Sequence, residues 1–255
     1  MAMRPTVTIY PSRDELSVGL AEHVAQLAAA ACGERGWFSI ALSGGSLMEI
    51  IAPALRSSRL QPSIDWPCWH VFWVDERWVP WSSPESNYGL ARDLLLNRVP
   101  IPHGQIHGTD DSSDPAATAG NYASVLARVF RLQHGQMPRF DLILLGIGED
   151  GHTASLFPGH PLLAETGAWV APVFDAPKPP PIRITMTLPL INKSRNVVFV
   201  AAGPGKAAIV AKLLNPPQLR TEKLPAQLVN PSDGELQWFI DRAAAVGMGC
   251  ADSIL

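Results

Sequence analysis

The chain has 255 residues, 47% hydrophobic and only 17% charged, with a formal net charge of -3. That length permits one large domain or two small ones, and the apolar fraction is ample for a sizeable core. A mildly acidic chain without basic blocks excludes nucleic acid or an anionic membrane as a partner held by bulk electrostatics, so an anionic ligand must meet a few placed cations.

No apolar run reaches the ~18 residues of a membrane-spanning helix. The opening residues MAMRPTVTIYPSRDE lack the apolar core of a secretory signal. Cys32, Cys68 and Cys250 show neither CxxC nor metal-ligand spacing, and they read as free thiols in a reducing compartment. The expectation is a cytoplasmic protein.

In chain order, Thr6–Tyr10 reads as a strand and Asp14–Ala31 as a helix, with Ser12 and Glu15 spaced as a capping box. Trp37–Leu42 is a second strand. Ser46 and Glu49 repeat the capping-box spacing before a helix over Leu47–Leu55. Trp69–Val74 is a third strand, Ser86–Asn97 a helix, and Asp114-Pro115 opens a helix to about His134 with Pro in its tolerated first position. Phe140–Leu145, Arg183–Leu188 and Val197–Ala202 are strands, Lys206–Leu214 a helix, Leu236–Ile240 a last strand and Asp241–Val246 helical. The stiff run Ala176–Pro181 (APKPPP) reads as a surface loop between strands of one sheet. Strands alternating with helices imply a mostly parallel sheet covered on both faces, and residues 1–255 are expected to form one domain.

Four segments lie where strands end, which is where open α/β sheets bind ligands. Ser43-Gly44-Gly45-Ser46 joins a strand to a helix; the glycines admit a close ligand, and the helix start offers free N–H groups beside the two hydroxyls, so a phosphate cradle and a plain tight turn both fit. Asp75-Glu76-Arg77 is ordinarily a solvated charged turn, but at a strand end Arg77 can fork onto a phosphate and Asp75 can orient a substrate hydroxyl. In Gly203-Pro-Gly-Lys206, a lysine at a helix start opposes the macrodipole, which points to an anion as its partner.

Gly146–Gly159, GIGEDGHTASLFPG, carries the most chemistry. Its GxGxxG fits a dinucleotide loop only formally, because Pro158 and Gly159 cut short the helix that would follow, and no NAD is expected. His152, between Glu149-Asp150 and the hydroxyls of Thr153 and Ser155, is the candidate acid–base group. No second His, Cys or carboxylate has metal-ligand spacing to it, so neither metal nor cofactor is expected.

Together these segments, with SNYG at Ser86–Gly89, Asp175–Pro181 and RITMTLP at Arg183–Pro189, resemble the 6-phosphogluconolactonase family in order from about Pro11 to Phe239. Pro204, between the glycines of GPGK, departs from that pattern. The resemblance implies a modified Rossmann-like α/β domain that hydrolyses 6-phospho-D-glucono-1,5-lactone in the oxidative pentose phosphate pathway. It makes His152 the general base, with Arg77 and Lys206 neutralising the phosphate beside Ser43–Ser46. Asp75 and Asp150 then serve sugar hydroxyls or orient His152. The partner is a small sugar-phosphate lactone, the chain a monomer or weak homo-oligomer. Two rival readings remain: an amino-sugar-phosphate isomerase or deaminase on the same scaffold, in which Asp75 would be the base, and a non-catalytic sugar-phosphate sensor with no need of His152.

Overall fold

The computed structural model describes residues 5–109, 114–215 and 223–249. Its strands are β1 (Thr6–Tyr10), β2 (Phe38–Leu42), β3 (Trp69–Trp73), β4 (Asp75–Arg77), β5 (Ile106–His107), β6 (Leu142–Leu145), β7 (Val170–Val173), β8 (Arg183–Met186), β9 (Asn196–Ala201) and β10 (Glu235–Asp241). The helices are α1 (Arg13–Arg35), α2 (Ser46–Leu55), α3 (Asn87–Leu94), α4 (Pro115–Val129), α5 (Leu188–Ile191), α6 (Ala207–Leu214) and α7 (Pro225–Leu228). Seven strands form a wholly parallel sheet in the order β1-β10-β9-β6-β2-β3-β5.

Burial follows the alternation of side chains along each strand. Phe38, Ile40 and Leu42 of β2 pack into one core with Leu16, Leu20 and Val24 of α1 and Met48 and Ile51 of α2. Ala41, Phe72 and Ile143 point the other way, into a core with Tyr122 and Leu126 of α4. Helices therefore cover both faces, as the pattern predicts, and the central strands read as continuous apolar runs because both their faces are buried.

The helix starts show which local signals hold. Ser12 Oγ accepts the Glu15 amide at 3.2 Å, and its hydroxyl donates to the Glu15 carboxylate at 2.8 Å. Ser86 and Asp114 likewise cap α3 and α4. The box expected at Ser46 and Glu49 does not form. Gly45, at φ +65°, takes the cap position without a side-chain bond, and Ser46 is the exposed first residue of α2. The first amides of α2 thus have no side-chain cap. Two helix ends also fall short: α4 stops at Val129, and residues 242–247 form turns rather than a helix.

The larger correction concerns Arg183–Met186. It joins a second, three-stranded antiparallel sheet, β4-β8-β7, and not the parallel one. Val74 is the junction: its amide donates to Leu42 in the parallel sheet at 2.9 Å, while its carbonyl accepts from Met186 at 2.7 Å. The charged triplet Asp75–Arg77 is consequently a short strand rather than a turn.

The cysteines also depart from expectation. Cys32, on α1, and Cys68, just before β3, form a disulfide with Cα atoms 6.1 Å apart; Cys250 lies outside the described residues. The βαβ crossover brings the end of α1 beside the start of β3, a proximity that spacing alone cannot reveal. The bond closes a loop containing β2, Ser43–Gly45 and α2. With its ends 36 positions apart in sequence, reduction should cost about 3–4 kcal/mol of unfolding free energy on the loop-entropy account. Denaturant titration with and without a phosphine reductant will measure it, and Cys32→Ser should reproduce the reduced value.

Candidate active site

At the carboxyl ends of β2, β3 and β6 the two sheets diverge around a cleft of about 420 Å³, counted to its open mouth. It is lined by Ser43, Gly44, Gly45, Asp75, Arg77, Asn87, Gly146–Gly148, His152–Ala154 and Arg183. Most of the residues singled out from the sequence converge there. Ser46 and Lys206 are not in the lining, and Asp150 acts on it through His152.

His152 leaves the loop after β6 with its ring tilted against Phe157, centroids 4.8 Å apart. Its Nδ1 lies 2.5 Å from Asp150 Oδ1, and its backbone amide donates to the same oxygen at 3.3 Å. A carboxylate on Nδ1 fixes the tautomer, leaving Nε2 as the acceptor. Burial holds the imidazole below its ordinary pKa, against the opposing pull of Asp150, while the Lys178 ammonium adds to the lowering and Asp75 opposes it. Burial pushes Asp150 upward, but its bond and charge pairing with His152, with Lys178 behind them, bring it below the usual carboxylate range. The pair at neutral pH is an ionised carboxylate holding a neutral imidazole. Glu149 is exposed and takes no part. Gly148 is required by close approach: a Cβ there would sit 2.0 Å from His152 Nδ1 and 2.6 Å from Asp150 Oδ1.

The strand β4 supplies the facing wall. Glu76 is buried and accepts the amides of Arg77, Asn87 and Tyr88, each at 2.7 Å, and the Ser86 hydroxyl at 3.1 Å. Burial pushes its carboxyl up to about 7 even though those amides pull the other way. Its neighbours alternate to the opposite side, into the cleft. Asp75 accepts the Ser155 hydroxyl at 2.7 Å, and Asn87 Nδ2 donates to the Asp75 carbonyl at 2.8 Å. Asn87 packs so closely on the Ser43–Gly45 turn that a Cβ at Gly44 would meet it at 1.8 Å.

Arg77 of β4 stands directly opposite Arg183 of β8. Like charges on facing positions repel, and among the described residues no carboxylate lies within salt-bridge distance of either guanidinium. Arg77 Nη1 donates to the Glu85 carbonyl at 2.7 Å, while Arg183 is held by the carbonyls of Lys178, Pro179 and Pro180 at 2.9, 3.3 and 3.0 Å. Ser43 Oγ, Arg77 Nε and Asn87 Oδ1 are buried without partners. Two unneutralised guanidiniums beside the unpaired Arg77 Nε–H and Ser43 hydroxyl are equipped to hold an anion, while Asn87 Oδ1 offers an acceptor. Arg183 escaped the sequence reading because its partner is set by strand register, although its place in an alternating apolar segment was a usable signal.

Lys206 stands one layer back. Its ammonium donates to the Ile147 carbonyl at 2.7 Å, bracing the Gly146–Gly148 loop from behind, and the Asp241 carboxylate accepts the Gly203 amide at 2.9 Å to hold the GPGK turn. The other histidines remain away from the cleft; His70 and His107 share a 3.1 Å contact at the sheet edge, and His160 pairs with Asp175.

An α/β scaffold with a His–Asp pair and two unneutralised guanidiniums at the sheet's carboxyl edge has the equipment of an enzyme acting on an anionic substrate. The sequence profile of the glucosamine-6-phosphate isomerases/6-phosphogluconolactonase matches residues 11–238, and the chain belongs to that family. It is 44% identical over 242 residues to human 6-phosphogluconolactonase, covering 94% of this chain and 92% of that one. It is 45% identical over 244 residues to a rice protein named probable 6-phosphogluconolactonase 4, chloroplastic, covering 93% and 75%. The solved 6-phosphogluconolactonase of Trypanosoma cruzi superposes with a TM-score of 0.85 at 28% identity, over 98% of this chain and 99% of that one.

The coupling of Asp150 to His152 can be read directly. An NMR titration should place the His152 midpoint below the unperturbed value of ~6.5. Asp150→Asn removes the influence that raises it, so the midpoint should move lower still; an upward move would contradict the assignment of the pair.

Proposed function

We propose that the cleft binds 6-phospho-D-glucono-1,5-lactone and hydrolyses it to 6-phosphogluconate, the lactone-opening step of the oxidative pentose phosphate pathway. The protein is a hydrolase of carboxylic-ester type, as its relatives' names and its own site chemistry agree. The observation that carries the mechanistic reading is His152, neutral and tied through Nδ1 to an ionised Asp150, in the same cleft as two unpaired guanidiniums.

In this reading His152 Nε2 takes a proton from water as the water oxygen attacks C-1, then returns it to the ring oxygen as the C-1–oxygen bond breaks. Asp150 holds the tautomer and stabilises the imidazolium. Arg77 and Arg183 clamp the phosphate, with Ser43, Gly44, Gly45 and the open amides of α2 completing the cradle. Lys206 serves by bracing the loop. A lactone is already an activated ester, so no nucleophilic serine is needed. Among the described residues no three His, Cys, Asp or Glu side chains are grouped to hold a metal, and the proposed steps require none. Asp75 is occupied by Ser155 and Asn87, which suits it to positioning sugar hydroxyls better than to abstracting a proton at C-2 as the isomerase reading would need.

The proposed setting is the cytoplasm, with a freely diffusing substrate. Among the described residues no helix is long and apolar enough to cross a membrane. The Cys32–Cys68 bond sets a condition on that setting, because reducing compartments keep most thiols apart.

Purified protein given freshly generated lactone, with the spontaneous rate subtracted, is the direct test. kcat/KM should rise with pH through a midpoint below ~6.5, because only the neutral imidazole accepts the proton. His152→Asn should lower kcat by about 10²–10⁴ while 6-phosphogluconate still binds. Retained kcat in that variant, with loss in Asp75→Asn, would move the base to the carboxylate. Separately, Arg183→Ala removes charge-assisted bonds of about 1.5–3 kcal/mol each, so kcat/KM should fall tenfold or more. Unphosphorylated gluconolactone should lose none of its slow turnover in the same variant.

A further inference from the structure

The segment 176–181 is built more firmly than a surface connection between strands requires. The Ala176 amide donates to the Pro181 carbonyl at 3.0 Å, closing the segment into a ring. Inside it, three successive carbonyls from Lys178 to Pro180 accept from the Arg183 guanidinium. Pro177, Pro179 and Pro180 restrict the backbone on both sides of Lys178. The Lys178 main chain is thereby held, and its side chain extends from a constrained place at the margin of the cleft, outside the residues that line it.

That place is beside the acid–base pair. Lys178 Nζ lies 4.0 Å from Asp150 Oδ1, the same oxygen that holds His152, and the side chain is 49% exposed. The charged groups acting on His152 are Asp150, Asp75 and Lys178, so Lys178 is the cation of this set. A half-exposed ion pair at this distance contributes little to stability, at most about 1 kcal/mol. An ammonium has three donors and no acceptor, and Asp150 at this distance satisfies none of them fully. Arg77 and Arg183 account for the phosphate, yet lactone hydrolysis also creates negative charge at the other end of the substrate.

We propose that Lys178 binds the C-1 end of the substrate, taking the negative charge that develops on the lactone carbonyl oxygen and then holding the product carboxylate. The inference rests on the lactonase reading above. As water adds to C-1 and its proton passes to His152, the carbonyl π pair moves onto oxygen beside the ammonium. Collapse of that oxyanion breaks the bond from C-1 to the ring oxygen, which receives the proton from His152. The carboxylic acid so formed releases its own proton to solvent and remains as a carboxylate against Lys178. The same positive charge also disfavours the imidazolium, which helps keep His152 a free base between turnovers.

Two ligands separate this role from a purely structural one: 6-phosphogluconate, and glucitol 6-phosphate, which carries CH2OH in place of the carboxylate. Calorimetry on the whole protein, with steady-state kinetics, should compare wild type, Lys178→Gln and Lys178→Arg. Lys178→Gln should weaken 6-phosphogluconate about tenfold, leave glucitol 6-phosphate unchanged, and lower kcat by one to two orders of magnitude. Lys178→Arg should recover most of both losses. Equal weakening of the two ligands would overturn the proposal, since Lys178 would then act only through the loop around Arg183. Unchanged constants in Lys178→Gln would overturn it as well. A wild type that binds both ligands but opens no lactone would instead overturn the reading on which it rests.

Discussion

The site depends on one buried carboxylate. Glu76 lies beneath the start of α3 and collects three backbone amides and a hydroxyl. An anion there meets both the unpaired amides and the positive end of the helix. A buried carboxyl without hydrogen-bond partners is costly, and more so when ionised, so these partners fix the side of β4 on which Glu76 can reside. Because strand side chains alternate, Asp75 and Arg77 have no choice but the other side. Three residues too few to hold a strand by hydrophobic pattern are held instead by the middle one's hydrogen bonds. The second sheet, the cross-strand arginine pair and the seat of Asn87 all follow from that anchorage.

The cleft is electrically divided although the chain as a whole is mildly acidic. One end carries two facing guanidiniums whose acceptors are mostly backbone carbonyls, so their positive charge is not cancelled within the protein. The other end carries an ionised carboxylate sharing its oxygen between an imidazole and, farther off, an ammonium. A ligand with one phosphate and one reactive carbonyl fits such a division. The scaffold does not dictate this. Chemistry on a shared frame is decided by which side chains reach the cleft and what already occupies them.

Much of this was legible in the sequence, and the failures have physical causes. The parallel sheet was read from apolar runs alternating with amphipathic ones, the cap at Ser12 from residue type and spacing, and the helix starts near Ser86 and Asp114-Pro115 without their caps being named. The glycine loops were legible because Gly44 and Gly148 stand where any Cβ would collide. The second sheet was not, since Arg183–Met186 carries the same apolar alternation whichever sheet it joins. Arg183 could not be paired with Arg77 because register across so long a separation leaves no local trace. Ser46 misled because cap spacing takes no account of Gly45, whose positive φ turns the chain before the serine can fold back. Lys206 was read as a phosphate cation beside Ser43–Ser46, but its ammonium takes the Ile147 carbonyl as partner and is not among the cleft-lining residues. The disulfide lay beyond reach for the same reason as Arg183.

The strand order holds one further consequence. β1 occupies an edge of the parallel sheet, where β10 is its one neighbour, with Thr8 opposite Phe239. During synthesis, β1 and the stripe of α1 that packs nearby leave the ribosome long before the strand that will receive them exists. The nascent chain must carry β1 unpaired until β10, more than two hundred residues later, emerges to receive it. Non-local closure of this kind is slow and exposes adhesive surface while it waits. β1 is thus seated only once β10 has been made, and a pause or truncation between the two leaves β1 unsheltered.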